Sequence, residues 1–230
     1  MAFNCLGENP GEDHIIKIAS LDQKSNWELV YGKTIGTQDQ GVYGIILPFH
    51  WSNDGHYLYL VYLSQGDGVW SFRDGDGLLR LDLFNGKVSE VLPRGWYAFS
   101  FSPNDKFLVY VYNHIDNPHL SPVIWILNIT NGEKQKVALD PLYIEAGDFI
   151  WSSDEEQLVF AAAKGDLDHE QLSLILINLR ILFPKILVYI LPDGLDPEKI
   201  RPDGTIVLKN INAIGGNDLE LINGKLIPIP

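Results

Sequence analysis

A twelve-residue stretch that returns at a fixed interval constrains this chain more than any other feature. Phe49-His50-Trp51-Ser52-Asn53-Asp54-Gly55-His56-Tyr57-Leu58-Tyr59-Leu60 recurs fifty residues on, as Phe99-Ser100-Phe101-Ser102-Pro103-Asn104-Asp105-Lys106-Phe107-Leu108-Val109-Tyr110. It recurs after fifty more as Phe149-Ile150-Trp151-Ser152-Ser153-Asp154-Glu155-Glu156-Gln157-Leu158-Val159-Phe160, and a worn copy begins at Arg201-Pro202-Asp203-Gly204. An interval of this size marks a repeat architecture, in which each unit buries its apolar faces against its neighbours.

Each copy holds four short apolar runs separated by turn residues. In the first full copy the predicted strands are Ile46–Trp51, Tyr57–Leu63, Leu78–Leu83 and Val88–Leu92, which we term a to d. Asn85-Gly86 joins c to d and Asn131-Gly132 does so in the second copy, because both residue types tolerate positive φ. Runs such as Ile124-Trp125-Ile126-Leu127 are apolar throughout, as expected of a strand covered on both faces. Four antiparallel strands every 46–50 residues predict an all-β fold, a β-propeller of four-stranded blades. The count is four full blades plus a half blade at His14–Tyr31, or five if the two ends cooperate. Both ends offer strands of the same kind, so either the ring is incomplete, with an open edge, or the chain is a fragment, or the last blade uses other strands than these. The domain runs over 14–230, with 1–13 irregular. Phe49/Trp51, Phe99/Phe101 and Phe149/Trp151 stand two apart in strand a and are expected to wedge between blades.

The motifs Trp51-Ser52-Asn53-Asp54-Gly55 and Phe101-Ser102-Pro103-Asn104-Asp105-Lys106 resemble the TolB-type, WD-like propeller repeat: an aromatic, Ser-Pro-Asp-Gly-Lys, then an apolar strand. Leu79–Val88 looks like its second half. There is no Trp-Asp dipeptide, and the fourth copy lacks the aromatic-Ser pair. The resemblance implies a fold and no single activity, because that repeat serves periplasmic binding proteins, scaffolds and the propeller domains of prolyl-oligopeptidase-like peptidases.

Charge narrows the partners. Thirty acidic against 17 basic residues give a formal net charge of -13, which disfavours nucleic acid and anionic membrane surfaces and fits a cationic partner, a metal ion or simple solubility. The single cysteine, Cys5, leaves no disulfide within the chain. The span Leu172–Leu191 is almost continuously apolar, but Arg180 and Lys185 would each cost about 2.5–3.5 kcal/mol inside a membrane. It reads as two buried strands, and no membrane insertion is expected. Met1-Ala2-Phe3-Asn4-Cys5 shows no leader, so the expectation is cytoplasmic, or exported if the chain is a fragment of a longer protein.

Antiparallel connectivity puts the a–b and c–d turns at one end of every sheet and the b–c and d–a connections at the other. The second set is longer and acidic, and long loops carry function more often than tight turns. The candidate binding residues there are Asp74, Asp76, Asp116, His119, Asp166, Asp168, His169, Glu170, Asp193 and Asp196. Arg73-Asp74-Gly75-Asp76-Gly77 lacks the alternating carboxylates and distal Glu of a calcium loop, so turn chemistry explains it. Asp166-x-Asp168-His169-Glu170 is the one weak pointer to a divalent cation, and no cofactor is expected. Asn128-Ile129-Thr130 is a formal glycosylation sequon, but Asn128 aligns with Asp82 and Asn178 and reads as structural. No Gly-x-Ser-x-Gly elbow or phosphate loop is present. The expected function is a non-catalytic binding module for a basic protein or peptide, with self-association through an unclosed blade edge as a further expectation. The alternative is the propeller domain of a larger hydrolase.

Overall fold

The computed structural model describes residues 2–5, 14–19, 26–31, 43–65, 77–112, 121–137, 139, 142–164, 171–180, 186–190, 195–210, 218–222 and 225–229. Every regular element among them is a strand. By its contacts the chain divides into two compact units, residues 1–96 and 97–230.

The first unit holds two sheets. β1 (Ala2–Cys5), β2 (His14–Ala19) and β3 (Asn26–Tyr31) form a three-stranded meander. β4 (Tyr43–Trp51), β5 (Tyr57–Gln65), β6 (Leu78–Asp82) and β7 (Val88–Leu92) form a four-stranded one. The expectation that residues 1–13 are irregular is corrected at Ala2–Cys5, which pairs antiparallel with Ile15–Ile18. The reason is β2, an apolar strand whose second edge offers hydrogen-bonding groups that a short extended segment satisfies. Ile18, Ile46, Leu58, Leu60, Leu79 and Leu81 form this unit's core.

The second unit holds three four-stranded meanders. The first joins β8 (Trp96–Phe101), β9 (Phe107–Tyr112), β10 (Val123–Asn128) and β11 (Lys134–Val137). The next joins β12 (Tyr143–Trp151), β13 (Gln157–Lys164), β14 (Gln171–Asn178) and β15 (Ile186–Ile190). The last joins β16 (Leu195–Ile200), β17 (Ile206–Asn210), β18 (Leu219–Ile222) and β19 (Lys225–Pro228). The apolar span 172–191 is therefore β14 and β15. Among the described residues no helix is long and apolar enough to cross a membrane. Each sheet uses strands consecutive in sequence, and none of the described strands joins the two ends of the chain into one sheet.

One core runs from β8 to β14 and includes Val109, Val111, Ile124, Leu158, Phe160 and Ile175, all fully buried. A second packs Val159 and Leu174 against Leu195, Leu208 and Leu221 of the last sheet. Adjacent β13 residues thus feed different cores, so the strand is covered on both faces and is apolar from Leu158 to Ala163.

Strand a departs from simple alternation. Its register with strand b slips between Pro48 and His50, between Gly147 and Ile150, and between Pro197 and Lys199. Ala98 and Asp148, fifty residues apart, both have φ of 53°. A β-bulge at this place bends the strand, and a bulge is where a strand tolerates a proline. The aromatic wedge holds for Trp151, whose ring stacks on Phe107 at 5.9 Å and whose indole N–H donates to the Ser100 carbonyl at 3.3 Å. Phe149 packs instead on Phe160 of its own sheet, and Trp51 is 37% exposed. His50 is half-buried, its ring 6.1 Å from that of Tyr59.

Candidate functional site

The two ends of the sheets use their polar groups differently. At the a–b end, Ser52 and Tyr57 close the turn through Ser52 N–H to the Tyr57 carbonyl (2.9 Å) and Tyr57 N–H to Ser52 Oγ (2.8 Å). The Ser52 hydroxyl donates to Asp54 Oδ1 at 2.6 Å, and that oxygen also accepts the His56 N–H at 2.9 Å. Ser152, Asp154 and Gln157 repeat the plan. The Ser52 hydroxyl, then the His56 N–H, hold the Asp54 carboxyl below its ordinary value of 3.8. In the sheet of β8 to β11, Asn104 stands where its neighbours in sequence have Asp54 and Asp154. The Ser102 hydroxyl donates instead to Glu155 Oε1 of the next sheet at 2.6 Å, and the Asn104 N–H donates there at 2.8 Å.

The c–d turns are equally self-contained. Asp82 Oδ1 accepts the Phe84 N–H at 2.9 Å, and Asn85 Oδ1 accepts the Lys87 N–H at 2.8 Å. Partial burial alone would raise the Asp82 carboxyl; the Phe84 and Asn85 N–H groups and the imidazole of His56 outweigh it and lower it. Asn128 and Asn178 repeat the Asp82 contact, with Oδ1 accepting from Thr130 N–H at 3.0 Å and Arg180 N–H at 2.9 Å. Asn128 is thus a turn residue, as the alignment of the copies predicts. Among the described residues of this end, Asp54, Asp82, Asn128, Asp154 and Asn178 are committed to closing turns.

The other end is different. Of the ten predicted site residues, Asp196 alone is described. Asp74, Asp76, Asp116, His119, Asp166, Asp168, His169, Glu170 and Asp193 lie outside the described residues. Asp196 sits near the start of β16, opposite Lys209 in register, half-buried, and desolvation pushes its carboxyl above 3.8. β12 and β16, the first strands of their sheets, pack on one another. The corresponding end of β12 carries Tyr143 and Glu145, 2% and 3% exposed. Tyr143 lies opposite Lys164, whose ammonium is 4.4 Å from the centre of its ring. The Tyr143 hydroxyl makes no hydrogen bond among the described residues. Its place in the sequence groups Glu145 with the solvated loop acids, yet Glu145 is inside the strand. It lies between two slips in the register of β12 with β13, one just before it and one after Gly147. Among the described residues no three His, Cys, Asp or Glu side chains gather to hold a metal ion.

Asp196 yields a pH prediction. Its folded carboxyl keeps a proton to a higher pH than the unfolded one. The folded state therefore loses stability as pH rises from the ordinary aspartate value through the raised one, and the loss is complete above it. Asp196→Asn should raise the melting temperature at neutral pH and leave it nearly unchanged below pH ~4, by thermal melts across that range.

No family model matches the chain, and no curated protein does. Solved structures do. The β-propeller domain of the trilobed protease from Pyrococcus furiosus, of open velcro topology, aligns with TM-score 0.52 at 13% identity, over 81% of this chain and 57% of that one. The fold is a β-propeller. An oligogalacturonate lyase from Vibrio parahaemolyticus aligns with TM-score 0.56 at 13% identity, over 94% of this propeller and 59% of the lyase. A prolyl endopeptidase structure aligns with TM-score 0.57 at 15% identity, over 94% of this propeller and 32% of the peptidase. The chain thus spans less than two thirds of each.

Proposed function

We propose that this propeller is a non-catalytic binding module that takes a cationic protein or peptide segment at the end of the sheets bearing the b–c and d–a connections. Asp196 carries the reading: a half-buried carboxylate whose burial disfavours its own charge, standing at the end that bears the b–c and d–a connections. A cation docked there stabilises the ionised form and offsets its desolvation. The acidic loops and the net charge of -13 support it by raising the local concentration of a basic partner.

The test is calorimetric titration with a Lys- and Arg-rich peptide at rising salt. The expected result is binding that weakens as salt rises, with Asp196→Asn weakening it and flattening the salt dependence. Binding indifferent to salt and to Asp196→Asn would sink the reading. The alternative, a propeller domain of a larger hydrolase, draws on the likeness to the prolyl endopeptidase, of which this chain spans a third. A catalytic domain encoded beside it in the complete gene would decide for that alternative.

A further inference from the structure

We infer that β15 is a docking edge for the same strand of a second copy of this chain, paired antiparallel about Val188. β15 ends its sheet: β14 lies on one side, and among the described strands none pairs on the other. Its outer N–H and C=O groups therefore face outward as a template, and the partner that satisfies such a row is another strand.

The last strands of the other four-stranded sheets carry devices that discourage pairing. β7 has Glu90, β11 has Lys134 and Lys136, and β19 has Lys225 and Pro228. β15 reads Ile186-Leu187-Val188-Tyr189-Ile190, with neither a charge nor a proline. Val188 and Ile190 are 50% and 65% exposed, although Ile175, directly opposite Val188 on β14, is fully buried. An apolar, uncharged and β-favouring edge is what other outer strands are built to avoid.

The order of the residues selects a second copy. Centred on Val188, the pairing sets Val188 against Val188, Leu187 against Tyr189 and Ile186 against Ile190, so every cross-strand pair is apolar. A two-fold pairing of identical strands runs antiparallel, because the slanted bonds of a parallel pair are not equivalent for its two strands. Because each copy carries -13, long-range repulsion opposes the dimer, and added salt strengthens it. Salt weakens the binding of a basic peptide, so the two proposals respond to it in opposite directions.

Analytical ultracentrifugation of the full chain over a concentration series tests this. A reversible dimer is expected, tighter at higher salt, with Val188→Lys raising its dissociation constant by about tenfold or more. Val188 is half exposed in one copy, so the substitution leaves folding intact, which the far-ultraviolet spectrum checks. In a Cys5→Ser background, Val188→Cys should oxidise to a linked dimer, because facing Cα atoms stand about 4.5–5.5 Å apart. Ile190→Cys should not, because its copies then lie about 13 Å apart along the strands. A monomer at every concentration, a dimer indifferent to Val188→Lys, or equal linkage by the two cysteines overturns the inference.

Discussion

Phe160→Ala is expected to cost about 3–5 kcal/mol of stability. Phe160 is fully buried near the middle of β13, its ring 5.0 Å from that of Phe149. It belongs to the core that holds Val109 and Val111 of β9, Ile124 of β10 and Ile175 of β14. Those neighbours sit on hydrogen-bonded strands of two sheets and cannot collapse into the space a benzyl group leaves. The loss thus combines the transfer term with a retained cavity, against a total stability on the order of 5–15 kcal/mol. Urea denaturation followed by tryptophan fluorescence measures it. Phe84→Ala serves as the control, since Phe84 is 80% exposed and its loss should stay within about 0.5 kcal/mol. Equal effects at the two positions would contradict the buried core.

Glu155→Ala is expected to cost about 1–3 kcal/mol, although Glu155 is only partly buried. Its Oε1 accepts both the Ser102 hydroxyl and the Asn104 N–H, and Ser102 is 2% exposed. The truncation leaves both donors without that carboxylate. The backbone of residue 155 already sits at φ of 60°, and alanine neither relieves nor worsens that. A second substitution separates the hydrogen bonds from other effects. Asn104→Asp restores the arrangement of Ser52 with Asp54 and of Ser152 with Asp154, in which the acceptor comes from the same turn. Adding it to Glu155→Ala should recover most of the loss. A double variant no more stable than Glu155→Ala would show that the Ser102 contact contributes little.

Much of the fold is legible in the residues because the same physical demand is stated several times. The aromatic-Ser motif, the Asn-Gly turns and the two-sided apolar strands repeat at one interval, so a weak signal in any copy is supported by the others. Asn128 shows the strength of this reasoning: its alignment with Asp82 and Asn178 marks it as structural, and its Oδ1 closes a turn as theirs do. What the sequence hides is of another kind. Ala2-Phe3-Asn4-Cys5 is too short and unflanked to announce a strand, and it is one because β2 has an edge to fill. The bulges in strand a need backbone angles that Ala98 and Asp148 do not advertise. They break the period of two on which the aromatic-pair argument rests. Glu155 replaces a missing aspartate from fifty-one residues away, a substitution visible only in three dimensions. At the candidate site the acidic bias of the loops is plain in the sequence, whereas the burial of Glu145 and Asp196 follows from how β12 and β16 pack.

The central claim is that the two ends of each sheet are divided between structure and binding. Two charge removals of equal size test it in one experiment. Asp54→Asn with Asp82→Asn removes two carboxylates that close turns; Asp193→Asn with Asp196→Asn removes two from the opposite end. Affinity for a Lys- and Arg-rich peptide is measured for both variants at one salt concentration. The expected result is affinity near that of the unmodified chain for the first pair, and a loss of about tenfold or more for the second. Equal affinities for the two pairs would contradict the division.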